Sequence, residues 1–221
     1  MRIDRRLNLV VPIYQDEPEN SPIIAHVHST PLSEAAVDQW FVVLGKTYNA
    51  IWSEGFGFAA GPGHAARILR FVAEREGTWL DRRSIDGSTI PGAERGLMGE
   101  IRRLTNVLMA QPDGTWGQVP WDVAVNQKMI SDEDRREVEN AIVFFIVGYA
   151  TLNRNQRASV LERAGSLWGA QLTSFTCTEF GNSLKTSIAT VSSGETSPAG
   201  ASEKSGHAPA VTAKPQRQVP V

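Results

Sequence analysis

"AIVFFIVGYA", residues 141–150, is the most apolar run in the chain, and its reading decides the fold. It is far shorter than the roughly 20 apolar residues that a membrane-spanning helix requires. Joined at helical spacing to Val138 and Leu152, it predicts a helix apolar on almost every side, and such a helix belongs at the centre of a domain. Its start is marked by "SDED", 131–134, which matches the S/T-x-x-D/E capping box: the Ser131 hydroxyl and the Asp134 carboxylate are placed to satisfy amides left free in the first turn. Asp132, Glu133 and Asp134 also suit the positive end of the helix dipole, so the charges of "SDEDRREVEN" read as a wet first stretch.

Further helices are expected around this one. Val37, Trp40, Phe41, Leu44, Tyr48, Ile51 and Trp52 follow the i, i+3, i+4 spacing of a buried face, while Glu34, Asp38 and Lys46 stay wet. A second helix carries Ala65, Ile68, Leu69 and Val72 and ends near Gly77; a third carries Leu97, Ile101, Leu104 and Leu108. Arg102 and Arg103 beside Glu100 read as the exposed face of the latter. Another amphipathic helix carries Val160, Leu161, Ala164, Leu167 and Trp168. "LDRRSIDGSTIPGAERG" between the second and third helices reads as a polar loop, and "QPDGTWGQVPW", 111–121, as a turn or hairpin.

At the start, "LNLVVPI" and "IIAHVHST" are rich in β-branched residues and flank the turn "YQDEPENSP", which predicts a hairpin over about 7–30. After Phe180 no aromatic residue remains, and from about Ser187 the chain is dominated by Ser, Ala, Gly, Pro and Thr. That composition cannot offset roughly 1–2 kcal/mol of backbone ordering entropy per residue. The expected architecture is mainly α (α+β): a helical-bundle body over 1–186 with a small N-terminal hairpin, and a disordered tail over 187–221. There is no internal repeat.

Composition narrows the partners. The 22 Lys+Arg against 24 Asp+Glu leave a formal charge of -2, too little to gather nucleic acid. Cys177 is the only cysteine, which excludes an internal disulfide and fits a reducing cytoplasm. "MRIDRRLNLVVPIY" has too short an apolar run and no small-residue cleavage site for a signal peptide, so a soluble protein is expected.

The glycines of "GFGFAAGPGHAAR", 55–67, invite a phosphate-loop reading. No lysine follows Gly61 or Gly63, the pattern Gly55, Gly57, Gly61, Gly63 contains no G-x-G-x-x-G, and a helix rather than a strand precedes it. The stretch is expected to be a hinge, with Gly55 as a helix C-cap, Gly57 and Gly61 taking special backbone angles, and Pro62 opening the next helix. His26 and His28 lie on one face of a strand, a spacing that can chelate a metal. No third ligand joins them, and neither His64 nor His207 completes a set, so the pair is read as a solvent-facing surface alternating with Ile23, Ala25 and Val27. Cys177, in "SFTCTEF", is expected to be a small buried thiol rather than a nucleophile. Trp40, Trp52, Trp79, Trp116, Trp121 and Trp168 are assigned to packing rather than to a stacking platform. No catalytic, cofactor-binding or metal residue is therefore predicted.

The phrases "RRLNLVVPI" with "HVHSTPLS", "GLMGEIRRLTNVLM", "ENAIVFFIV" and "LWGAQLTSFTCTEFGNSLKTS" together resemble the tail assembly chaperones of long-tailed bacteriophages, across most of residues 1–190. The resemblance implies a small soluble protein of the host cytoplasm without enzymatic activity. It would bind the long helical tape measure protein, help the major tail protein assemble around it, and leave before the virion is complete. It also implies two product lengths made by ribosomal frameshifting, with this chain as the shorter, and it allows a homo-oligomer. Such a client needs an apolar groove used helix-in-groove fashion. Two alternatives are a minor virion component of the head-tail connector type, and a small metal- or nucleotide-dependent enzyme centred on Gly55 to His64 with His26 and His28.

Overall fold

The computed structural model describes residues 7–16, 21–53 and 60–192. The predicted hairpin is present as β1 (Asn8–Tyr14) and β2 (Ile23–Ser29), paired antiparallel with Val11 opposite Val27 and a bulge where Ile13 gives way to Tyr14. It is not an appendage. β2 continues into β5 (Thr105–Ala110), β5 into β6 (Trp116–Pro120), and the outer side of β1 receives the short β7 (Gln171–Thr173). The result is a five-stranded antiparallel sheet in the order β6-β5-β2-β1-β7, and a separate two-stranded ribbon is formed by β3 (Arg82–Arg83) and β4 (Thr89–Ile90).

This sheet overturns the expected helical bundle: the body is mixed α/β, organised on strands. The third predicted helix is the source of the error. A helix does run over Leu97–Arg103 (α3), but Leu104 closes it and Thr105 begins a strand, so Leu108 lies on β5. There the alternation takes over: Val107 joins the main core on one face of the sheet, and Leu108 joins a separate cluster on the other. Thr105 fixes the junction, its hydroxyl donating to Ile101 O at 2.8 Å and its oxygen lying 3.2 Å from Ser29 Oγ, whose proton it can accept. The loop to β6 turns on Asp113, whose carboxylate accepts the Thr115 N–H and hydroxyl. Gly114 takes the φ of 76° that the turn demands.

One face of the sheet carries Leu9, Val11, Ile13, Ala25, Val27 and Val107 against the helical layer. That layer holds α1 (Glu34–Ser53), α2 (Ala65–Arg75) and α5 (Asp132–Thr151), with α3, α4 (Trp121–Asn126) and α6 (Arg154–Gly165) around it. The helix α5 is central as its sequence predicts, buried without interruption from Ala141 to Gly148. Ser131 caps it by accepting the Asp134 N–H at 3.1 Å; the Asp134 carboxylate turns back to take the Ser131 hydroxyl. Close packing of α6 relies on Gly148, where an added Cβ would come within 2.7 Å of Leu161 Cδ2. Two residues assigned to buried faces are exposed instead, Phe41 on α1 and Leu167 in the 3₁₀ turn Ser166–Trp168.

The opposite face of the sheet is covered by α7 (Cys177–Ser192), which packs on β6 and β5. Its start is a reciprocal capping box. Thr176 Oγ1 accepts the Glu179 N–H at 3.3 Å, and the Glu179 carboxylate accepts the Thr176 N–H at 2.8 Å. α7 runs past Ser187, where composition alone placed the start of the tail; residues 193–221 lie outside those described.

Candidate functional site

Two regions of the structure are candidate sites: an open trough along α1, and the histidine face beneath α7. On α1, Gln39, Val42, Lys46, Asn49 and Ser53 recur at helical spacing and are all exposed. At 1.5 Å rise per residue this stripe is about 21 Å long. Along its half nearest Ser53, the end of α2 supplies Val72, Arg75 and Glu76, enclosing a groove of about 320 Å³ floored by Ala50. Along the other half a second hollow of about 260 Å³ is bounded by Trp40, Val42, Arg82, Ile90 and Pro91. Glu76 lines both, and its Oε2 lies 2.6 Å from Lys46 Nζ, so one exposed ion pair sits where the two hollows of the trough meet. Val42 is 58% exposed and Ile90 45%, which gives the trough an apolar rim; Phe41, 59% exposed, flanks it on α1.

The histidines are not solvent-facing. His26 and His28 retain 6% and 1% of their exposure because α7 and the turn before it close over β2. The sequence reading has to be corrected here, and the reason is that β2 is an interior strand covered on both faces. His26 packs against Trp116 with ring centroids 5.0 Å apart and against Phe180 at 5.4 Å. His28 Nε2 lies 3.0 Å from Phe175 O, so it carries the proton, and Asn8 Nδ2 donates to the same carbonyl at 2.8 Å. Burial drives the His26 pKa down to about 4 and lowers that of His28, against a partial opposing effect from Phe175 O. Cys177 sits in the adjoining cluster with Val10, Leu108 and Phe180, and burial pushes its thiol up to about 11, the opposite of an activated nucleophile. Among the described residues, no three His, Cys, Asp or Glu side chains gather closely enough to hold a metal ion.

Of the glycine stretch, Gly55 and Gly57 lie outside the described residues. Gly61 takes an ordinary right-handed helical backbone, with φ of −55°, so the special angle expected for it is not there. Pro62 opens the 3₁₀ turn Pro62–His64, which leads into α2. The start of that helix already has an acceptor, since Asn140 Oδ1 takes the Ala66 N–H. Trp40 and Trp52 share α1 and the other four tryptophans lie elsewhere; Trp40 and Trp121 are buried and the rest pack partly against the clusters. A further groove of about 780 Å³ runs between the end of β1, the start of α5 and the turn Ser166–Trp168, and Asp16, Glu133, Asp134 and Glu137 stand along it.

Sequence reasoning missed the trough, because its polar members look like any wet helix face until α2 and the β3–β4 ribbon are set beside them. It also missed α7 as the cover of the histidines, although Thr176 and Glu179 carry the T-x-x-E signature of a helix start. Compared with known proteins, the chain matches no family model, no curated protein and no solved structure.

Proposed function

We propose that the protein is a tail assembly chaperone of a long-tailed bacteriophage, acting in the host cytoplasm, which holds helical segments of the tape measure protein in the α1 trough while the major tail protein assembles around them. The observation that carries this reading is the exposed stripe from Gln39 to Ser53, bordered by the end of α2 along one half and by the β3–β4 ribbon along the other. Its length matches about four turns of a client helix, and Val42 and Ile90 offer apolar contact to such a helix without a deep pocket. A shallow, partly polar groove favours release, as a factor that leaves the finished particle requires. Among the described residues no helix is long and apolar enough to cross a membrane. The resemblance of the quoted sequence phrases supplies the identity of the client.

The test is co-expression with the phage's tape measure protein. The parent protein is expected to keep that client soluble and to co-purify with it, whereas Val42→Asp together with Ile90→Asp abolishes capture while leaving the thermal midpoint in place. Capture that survives the double substitution removes the trough from the reading. Stoichiometric presence of the protein in mature virions replaces the chaperone by a connector-type component.

A further inference from the structure

We propose that α7 is a flap over the second face of the sheet, and that acid opens it by protonating the His26–His28 pair buried beneath it. The inference is independent of the client-binding role. It rests on how little holds the flap. Among its described side chains, 177–184, α7 contributes none to the main core; they meet the sheet in the small cluster of Val10, Leu108, Cys177 and Phe180, with Trp116 and Leu184 partly buried against it. Within the same interface the polar atoms His26 Nδ1, His28 Nδ1 and Asn8 Oδ1 are buried without a hydrogen-bond partner. Buried polar groups left unpaired weaken a packed contact, and a weakly packed element opens by itself before the domain does.

The charges around the pair offer an imidazolium no compensation. Facing it are Asn8 and Val10 from β1, Asn106 and Leu108 from β5, and Trp116 and Gln118 from β6. From the flap and its preceding turn come Phe175 O, Cys177, Glu179 and Phe180. Only two of these groups titrate. The Cys177 thiol is neutral until far above neutral pH. Glu179 is held below the usual carboxylate range by its hydrogen bonds to Thr176, so it stays ionised and committed to the cap. The sign follows directly: the closed flap lowers the histidine pKa, so closure is fully favoured above about 6.5 and weakens as pH falls towards 4. One such histidine changes the open-to-closed ratio by about tenfold per pH unit across that interval.

Cys177 reports the opening, since it is the only cysteine and lies in the interface. The full chain is treated with 4,4′-dithiodipyridine between pH 7.5 and 4.5, and each rate is divided by that of the urea-unfolded chain at the same pH. Protection of the thiol is expected to fall at least tenfold between pH 6.5 and 4.5. The pH dependence should flatten in His26→Leu combined with His28→Gln, where the glutamine amide still donates to Phe175 O. In parallel, hydrogen exchange at pH 4.5 should show loss of protection over 177–184 of the parent while α5 remains protected. Protection that does not change with pH, or an unaltered fall in the double variant, overturns the proposal. So does simultaneous loss of protection in α5, which would make the event global acid unfolding. Should the double variant fail to fold, the exchange measurement on the parent decides alone.

Discussion

The side-chain oxygen of Asn140, on the central helix, accepts the backbone N–H of Ala66 at 3.0 Å, so α5 caps the start of α2. This one contact joins two helices far apart in sequence and uses an amide that an anion would otherwise seek at a helix start. Asn140→Ala is expected to cost about 1–2 kcal/mol, read from the urea midpoint, with Asn140→Asp much closer to the parent because a carboxylate both accepts the bond and suits the dipole. Equal stability of the alanine variant would show that Ala66 does not depend on Asn140. ATP, GTP and NAD are expected to give no heat of binding in calorimetry.

Phe145 is buried in the centre of α5 and packs at a tilt against Tyr149, with ring centroids 5.9 Å apart. Phe145→Ala removes a side chain that its neighbours cannot replace, and about 3–5 kcal/mol should be lost on chemical denaturation. A loss below about 1 kcal/mol would mean that the core lies elsewhere.

Gly148 and Leu161 form a steric pair, because a methyl group at 148 needs the space that Leu161 Cδ2 occupies. Gly148→Ala alone should cost about 1–3 kcal/mol through overpacking, and Leu161→Ala alone about 2–5 kcal/mol through a cavity. The double variant should be more stable than the sum of the two losses predicts, since each change relieves the other. A strictly additive cycle would show that α5 and α6 do not meet at these residues.

Alkali should loosen α7 as acid does. Burial raises the Cys177 thiol from 9.0 to about 11, so the closed form favours the neutral thiol, and its contribution is complete below pH 9 and lost as pH rises from 9 towards 11. Hydrogen exchange over 177–184 should therefore speed up above pH 9 beyond the intrinsic base catalysis. Cys177→Ala should remove that excess and leave the acid response intact. Persistence of the excess in the alanine variant would assign it to another group.

Local signals in the sequence agree with the structure wherever neighbours along the chain decide it. Ser131 and Asp134 mark the start of α5, and the alternation around Val11 and Val27 marks the first hairpin. Burial of 141–148 follows from composition alone. The failures are of long range. Leu104 and Leu108 keep helical spacing, yet Leu108 is recruited to a strand because β2 offers an edge, with His26 opposite Leu108 and Val27 opposite Val107, that local sequence does not reveal. A hairpin turn at Asp113–Gly114 nevertheless requires strands on both sides, so the turn residues themselves carry the signal for β5. His26 and His28 were assigned to water because nothing nearby in sequence covers them; Phe175 and Phe180, which do, lie about 150 residues away. The trough was illegible for the same reason. It is made of spaces between elements, and Val42 and Ile90 come together only after the β3–β4 ribbon has folded back.

The pairing of β7 with β1 stops at Val10, so among the described residues the outer side of β1 has no partner strand from Val11 to Tyr14. The Gln15 N–H points inward to Pro22 O, and by two-residue alternation the even-numbered amides of β1 point outward. Position 12 is one of them, and it is proline. This open stretch of β1 thus lacks a donor at its middle, so a strand from another molecule cannot form an unbroken ladder there. Copies of the chain held at high local concentration therefore run little risk of polymerising into fibrils through this stretch of β1.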